Sequence, residues 1–183
     1  MKSILSDNKK LKQIEKNKFI VTWKLIEIGY FGYEFIQPQI SKLDIYEYAE
    51  ILLQYKESNY NEIAQLIAEK LDDYEFNVIL HKLAEQEESD IEKEYKKWII
   101  YLTGEMLENL RNDYFEDLLT INEFWISLGQ PEYSPHMFQS VENSISPQEY
   151  YTKEMYELIL NKHKEWIKSE AEKIIQIENI VKR

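Results

Sequence analysis

Three histidines, 34 carboxylates and no cysteine are the side chains from which this 183-residue chain could build a reactive centre. His81, His136 and His163 are far apart, and none follows a glutamate by three positions, so the Glu-x-x-His element of carboxylate-bridged di-iron bundles is missing. No His-Glu-x-x-His zinc motif occurs. His163 and Glu165 stand two positions apart, and on a helix such side chains diverge. His81 and His163 read as helix-surface residues, and His136 falls in a proline-bearing loop. The absence of cysteine removes thiolate zinc sites, iron–sulfur clusters, disulfides and thiol nucleophiles together. Neither a Gly-x-Ser-x-Gly elbow nor a glycine-rich phosphate loop is present, and Gly29 and Gly32, flanking Tyr30-Phe31, read as a turn.

The carboxylates are abundant but unpatterned. A paired-acid hydrolase needs two carboxyl groups at a fixed separation, one of them holding its proton. Neighbours such as Asp72-Asp73 or Glu87-Glu88 arise by chance in so acidic a chain, and the solvated-face reading suits them better. The run Glu85-Gln86-Glu87-Glu88-Ser89-Asp90 lacks the alternating oxygen ligands and the glycine of a calcium-binding EF-hand loop. The expectation is therefore no catalytic residue, no metal and no cofactor, and a protein that is not an enzyme. The formal charge of −12, with Arg111 and Arg183 the only arginines, opposes nucleic acid and anionic lipid and favours a basic protein partner if the partner is charged. Acidity that serves only solubility is the other reading.

Aromatic residues gather at two places. Tyr30, Phe31, Tyr33 and Phe35 surround the two glycines, and Tyr133, Met137 and Phe138 accompany His136. Exposed aromatics on loops near acids are what a protein-binding surface uses, while ordinary loop packing is the competing explanation. The sequence nominates Tyr30, Tyr33, Tyr133 and Phe138 as anchors for a partner. It nominates Asp72, Asp73, Glu85, Glu87, Glu88 and Asp90 for electrostatic steering. Trp98 and Trp125 lie on apolar stripes and read as core, whereas Trp23 and Trp166 could be half-buried.

The elements that must position these residues are helices. Glycine and proline number four each, against many Glu, Lys, Leu and Ile, and no segment alternates with period two. The polar start, residues 1–18, reads as an arm or frayed helix with a weak stripe of Ile4, Leu5, Leu11 and Ile14. Thr22 can cap a short helix from Trp23 that ends at Gly29 and Gly32. Ser41 or Asp44 then caps a helix with Ile45, Tyr48, Ala49, Leu52 and Leu53 inward. Ser58-Asn59 breaks it, Asn61 caps the next, and a fourth helix begins near Asp73 with Phe76, Ile79, Leu80 and Leu83 inward.

Ser89 and Glu92 have capping-box spacing before the strongest stripe: Ile91, Tyr95, Trp98, Ile99, Leu102 and Met106. Gly104 in that helix suggests a close helix–helix contact. Asn112 or Asp113 caps the following helix, which Gly129 closes. Ser146-Pro147-Gln148-Glu149 is a second capping box, from which the last helix is expected to run to the C-terminus. The reading is an all-α protein: an irregular antiparallel bundle of about six to eight helices with a long C-terminal helix, as one domain over 19–183. No apolar h-region follows the first residues and no run spans a bilayer, so the expected location is the cytoplasm, without membrane attachment.

Val21-Thr22-Trp23-Lys24-Leu25, the Tyr48-Ala49 helix, Lys97-Trp98, Phe124-Trp125-Ile126-Ser127-Leu128-Gly129-Gln130-Pro131 and Trp166 occur in an order that resembles DUF2247, a helical bacterial family of unknown function, over roughly 19–172. That family's loop tends to read Asp-Tyr-Pro where this chain has Gly129-Gln130-Pro131. The resemblance implies no catalytic residues. It also implies an immunity protein, since some members look like the proteins that accompany secreted bacterial toxins. The resulting expectation is a protein that binds and occludes a basic toxin domain, with a helical scaffold or adaptor without a toxin partner as the alternative. An enzyme with a carboxylate-based site stands behind both.

Overall fold

The computed structural model describes residues 9–55, 59–68, 71–138 and 145–181. Among them nine helices form, α1 (Lys9–Lys16), α2 (Trp23–Phe31), α3 (Lys42–Leu53), α4 (Tyr60–Leu66), α5 (Asp73–Gln86), α6 (Ile91–Glu108), α7 (Tyr114–Ser127), α8 (Pro147–Tyr150) and α9 (Lys153–Val181). No strand forms among the described residues, and one isolated antiparallel bridge joins Tyr33 to Ile36. The all-α reading holds. The chain packs as two compact units, one comprising 1–98 with 174–183 and the other 99–173.

In the first unit, local capping fixes where helices start. Thr22 accepts from the Leu25 backbone N–H, and Ser41–Asp44 and Asp72–Glu75 form reciprocal capping boxes. The N-cap of α4 is Asn59, not Asn61. At α6 the structure departs from the Ser89–Glu92 box: Asp90 accepts from the Glu92 N–H, while the Ser89 hydroxyl donates to Glu94. Helix α2 packs along α5, and α3, α4 and α5 are successive neighbours. Lys82, late in α5, pairs with Glu62, early in α4, so these two helices run antiparallel. Helix α1 is tied down, because Leu11 and Ile14 are fully buried; Ile4 and Leu5 lie outside the described residues. Trp23 is buried, with its ring edge-on to Tyr48.

The two glycines around the aromatic cluster do different work. Gly32, at φ +81°, ends α2 in a conformation that L side chains rarely adopt. Gly29 does not break the helix. It lies inside α2 against the Trp98 ring, where an added Cβ would come 2.4 Å from Cζ2. Trp98 is held there by its indole N–H, which donates to the Leu25 carbonyl at 2.8 Å. Gly104 shows the reverse: among the described residues, its chain neighbours and its helix's own backbone aside, no heavy atom lies within 4 Å of where a Cβ would stand, so they make no close helix contact there. Two opposite results follow in urea denaturation. Gly29→Ala should lose about 1–3 kcal/mol through overpacking, and Gly104→Ala should gain about 0.5–1 kcal/mol of helix propensity.

In the second unit the core holds Trp125, Leu118, Ile121, Leu128, Tyr150 and Ile159. Asp113 caps α7, and Gly129, at φ +74°, follows its end. The Ser146 box starts only the short α8. The backbone leaves the helix at Tyr151-Thr152, and α9 restarts with the Thr152 hydroxyl accepting from the Met155 N–H. The break corrects the single continuous last helix read from the sequence. Helix α6 is buried around most of its circumference, at 94, 95 and 97–101, where the sequence suggested a one-sided stripe.

Candidate functional site

The ten residues nominated from the sequence are divided between the two units. Eight belong to the first unit, and Tyr133 and Phe138 belong to the second. Of the steering acids, Asp72 and Asp73 begin α5, Glu85 lies near its end, and Glu87, Glu88 and Asp90 follow it. Asp72 caps α5, and Asp73, with its side chain 91% exposed, pairs with Lys42 at 3.2 Å. Glu85 lies 3.1 Å from His81 Nε2, while Glu27 Oε1 approaches Nδ1 at 2.6 Å. Hydrogen bonding and charge from Glu27 raise the His81 pKa above its ordinary value.

Glu87 is not a steering group, because its carboxylate accepts from the Lys24 backbone N–H at 3.2 Å, at the N-terminus of α2. Burial pushes its pKa up to about 7 against the opposing pull of the Lys24 and Trp23 N–H groups. Asp90 accepts at the start of α6, and Glu88 is exposed.

The nominated aromatics face other rings. Tyr30 lies edge-on to Phe76, Tyr33 to Tyr95 and Phe138 to His136, and Tyr133 stacks on Trp166. The outward aromatics of the first cluster are Phe31, 45% exposed, and Phe35, 53% exposed. Their turn is fixed by reciprocal backbone hydrogen bonds between Tyr33 and Ile36 at 3.0 and 2.9 Å and by the Gly32 N–H to the Ile28 carbonyl at 2.9 Å. Glu34 occupies a positive φ of 48° at its tip, and Ile36 is buried beneath. Tyr33 is half-buried against Tyr95 while Phe31 and Phe35 face solvent, a difference that composition could not show.

Two buried polar centres escaped the sequence reading. In the first unit, Lys97 is fully buried. Its ammonium donates to Glu94 at 2.6 Å and to the Ile20 carbonyl at 2.8 Å, and lies 2.6 Å from Glu178 Oε1, close enough for an ion pair though off the hydrogen-bonding direction. The other Glu178 oxygen accepts from the Ile20 N–H at 3.0 Å. The burial of α6 around most of its circumference puts Lys97 inside.

In the second unit, His163 is fully buried, which corrects its assignment to a helix surface. Its Nδ1 faces the Ile159 carbonyl at 2.7 Å, and its Nε2 accepts the Trp125 indole N–H at 2.7 Å. Those partners fix one neutral tautomer, with the proton on Nδ1. His136 Nε2 lies 2.6 Å from Asn122 Oδ1, which also accepts from the Tyr150 hydroxyl at 3.0 Å, while His136 Nδ1 is buried without a partner. Burial pushes the His136 pKa down to about 3, with the His163 charge adding to the effect, and burial lowers His163 as well. Nearby, Asp117 accepts from the Tyr156 hydroxyl and the Arg111 N–H, both at 2.8 Å.

A neutral imidazole with a bare nitrogen could in principle accept a proton, but its partners here are an amide, a phenol and aromatic rings. These are the contacts of a packed polar core. Among the described residues no three His, Asp or Glu side chains gather so as to hold a metal ion, and no helix is long and apolar enough to cross a membrane.

No curated protein and no solved structure matches the chain. A family model described as "Uncharacterized protein conserved in bacteria" covers residues 11–171. The match takes in α2 through α8 whole and includes both buried polar centres except Glu178, and by it the chain belongs to the bacterial DUF2247 family.

Proposed function

We propose that this chain is a protein-binding protein whose anchor is the 30–36 turn, and in its most concrete form an immunity protein that occludes a basic toxin domain. The observation that carries the reading is the pair Phe31 and Phe35, solvent-exposed on a turn whose backbone is already fixed. Rigid exposed aromatics gain contact area with little ordering entropy, which is how binding hot spots are built. The charge of −12 and the exposed acids Asp72, Asp73, Glu85, Glu88 and Asp90 on the same unit would steer a basic partner toward it. The resemblance to toxin-associated members of the family supplies the immunity version.

The test is to mix the purified chain with the product of an adjacent toxin gene and measure affinity and protection of cells. Phe31→Ala/Phe35→Ala should weaken binding by roughly 30-fold or more, as expected for hot-spot aromatics. Charge reversal at Asp73 and Glu88 should slow association and flatten its salt dependence. No complex and no protection would remove the immunity reading. Full affinity in the double alanine variant would remove the turn as anchor.

A further inference from the structure

Beyond the turn, the first unit carries a concave apolar feature between α4 and α5. Ala68, Leu71, Val78 and Ile79 line a groove of about 390 Å³, with Tyr74 and Glu75 among its walls. Two of these side chains are unusually open for apolar groups on a helix, since Tyr74 is 77% and Val78 49% exposed. They stand four positions apart and so share one face of α5. The same helix end is strongly acidic: Asp72 is its N-cap, Asp73 and Glu75 fall within its first turn, and among the described residues the ion pair formed there is Lys42 with Asp73. Capping explains the positions of Asp72 and Glu75, whose carboxylates accept from each other's backbone N–H, and among the described residues no basic side chain pairs with either. The helix N-terminus offsets part of this charge, and three carboxylates against the single Lys42 still leave the end acidic, which opposes an anionic occupant and favours a cationic one.

We propose that this groove is a docking site for a partner segment that presents a large apolar side chain with a lysine or arginine beside it. The apolar side chain would fill the space over Val78 and Ile79. The cation would lie against Glu75 and Asp72. The volume suits one or two side chains and not a whole domain face, so the occupant is a short amphipathic segment laid along α5. None of the residues that line this groove belongs to the Phe31–Phe35 turn.

The probe is a pair of synthetic amphipathic helical peptides of equal length, one built from leucine and lysine and the other from leucine and glutamate. Binding to the full chain would be followed by fluorescence anisotropy and by amide chemical-shift mapping. The leucine–lysine peptide should bind at least tenfold more tightly, with shifts centred on 65–79. Val78→Glu, at an exposed position that leaves the helix intact by circular dichroism, should weaken it tenfold or more, and Glu75→Gln should weaken it severalfold. Phe31→Ala/Phe35→Ala should leave it unchanged, so failure of the turn and failure of the groove are read separately. Equal binding by both peptides, equal binding to Val78→Glu, shifts spread over the acidic surface, or occupation of the groove by a second copy of the chain in sedimentation would each overturn the proposal.

Discussion

Lys97→Met should be the most damaging single substitution in the first unit, lowering stability by about 3–5 kcal/mol, the usual result of stripping one partner from a buried ion pair. The methionine keeps most of the volume, so a cavity is not the cause. The loss comes from charge. Glu94 and Glu178 both lie within ion-pair distance of the ammonium, and with it gone two carboxylates share a site that water does not reach. Ser89 and Lys93 still serve the outer Glu94 oxygen, and the Ile20 N–H still serves Glu178, but the Ile20 carbonyl loses its donor. Urea denaturation gives the number. The decisive companion is Glu94→Gln/Glu178→Gln in the Lys97→Met background, which removes the stranded charges and should recover a large part of the loss. If Lys97→Met is nearly neutral, or if the triple variant is no better than the single one, the buried-charge account fails.

Acidification should weaken the second unit well before ordinary acid denaturation. His136 and His163 both have folded pKa values below the unfolded value of about 6.5. Below that pH the unfolded chain takes up protons that the folded chain refuses, so stability is fully present above it and falls as pH drops through the window down to the folded values. For His136 the window reaches about 3. The limiting slope is about 1.4 kcal/mol per pH unit for each histidine. The geometry gives the same sign independently, since a proton on His163 Nε2 would face the Trp125 indole N–H at 2.7 Å, donor against donor.

The first unit contains groups of opposite sign. Glu87, whose pKa is raised to about 7, contributes stability that is present below about 4.5 and lost as pH rises through 7. His81, raised by Glu27, loses its contribution as pH rises past its folded value. Denaturation at pH 7, 6 and 5 should therefore show the second unit, followed through the indole N–H of Trp125, losing protection as the pH falls. His163→Gln should be less stable at pH 7 but should reduce the slope by about one histidine's share. An unchanged slope in that variant would sink the assignment.

The places where sequence and structure part company share a cause. Periodicity reports which side of a helix is apolar, and it found most of the buried positions of α3 and α5. It failed for α6, because a helix covered on most sides buries its polar residues too. Lys97 and Glu94 are three positions apart on that helix, an ordinary surface spacing, and nothing local marks them as interior; Glu178 lies 81 positions further on. His163 misled in the same way. It stands among lysines and glutamates, and only the arrival of Trp125, 38 positions away, turns it into a core residue. At the aromatic turn the cluster was legible but which rings face solvent was not, because Tyr30 and Tyr33 pack on Phe76 and Tyr95, which are distant in the sequence.

The amino-acid sequence alone determined the helical class, most helix starts, the helix ends at Gly32 and Gly129, the family and the acidic character, because caps, glycine conformation and net charge are properties of residues and their near neighbours. Tertiary structure alone decided that Lys97 and His163 are buried, that Gly29 makes room for Trp98 while Gly104 faces open space, and that Phe31 and Phe35 are the exposed rings. Each of those outcomes depends on which distant segment covers a given face, and burial by a distant partner leaves no periodic trace in the residues being covered.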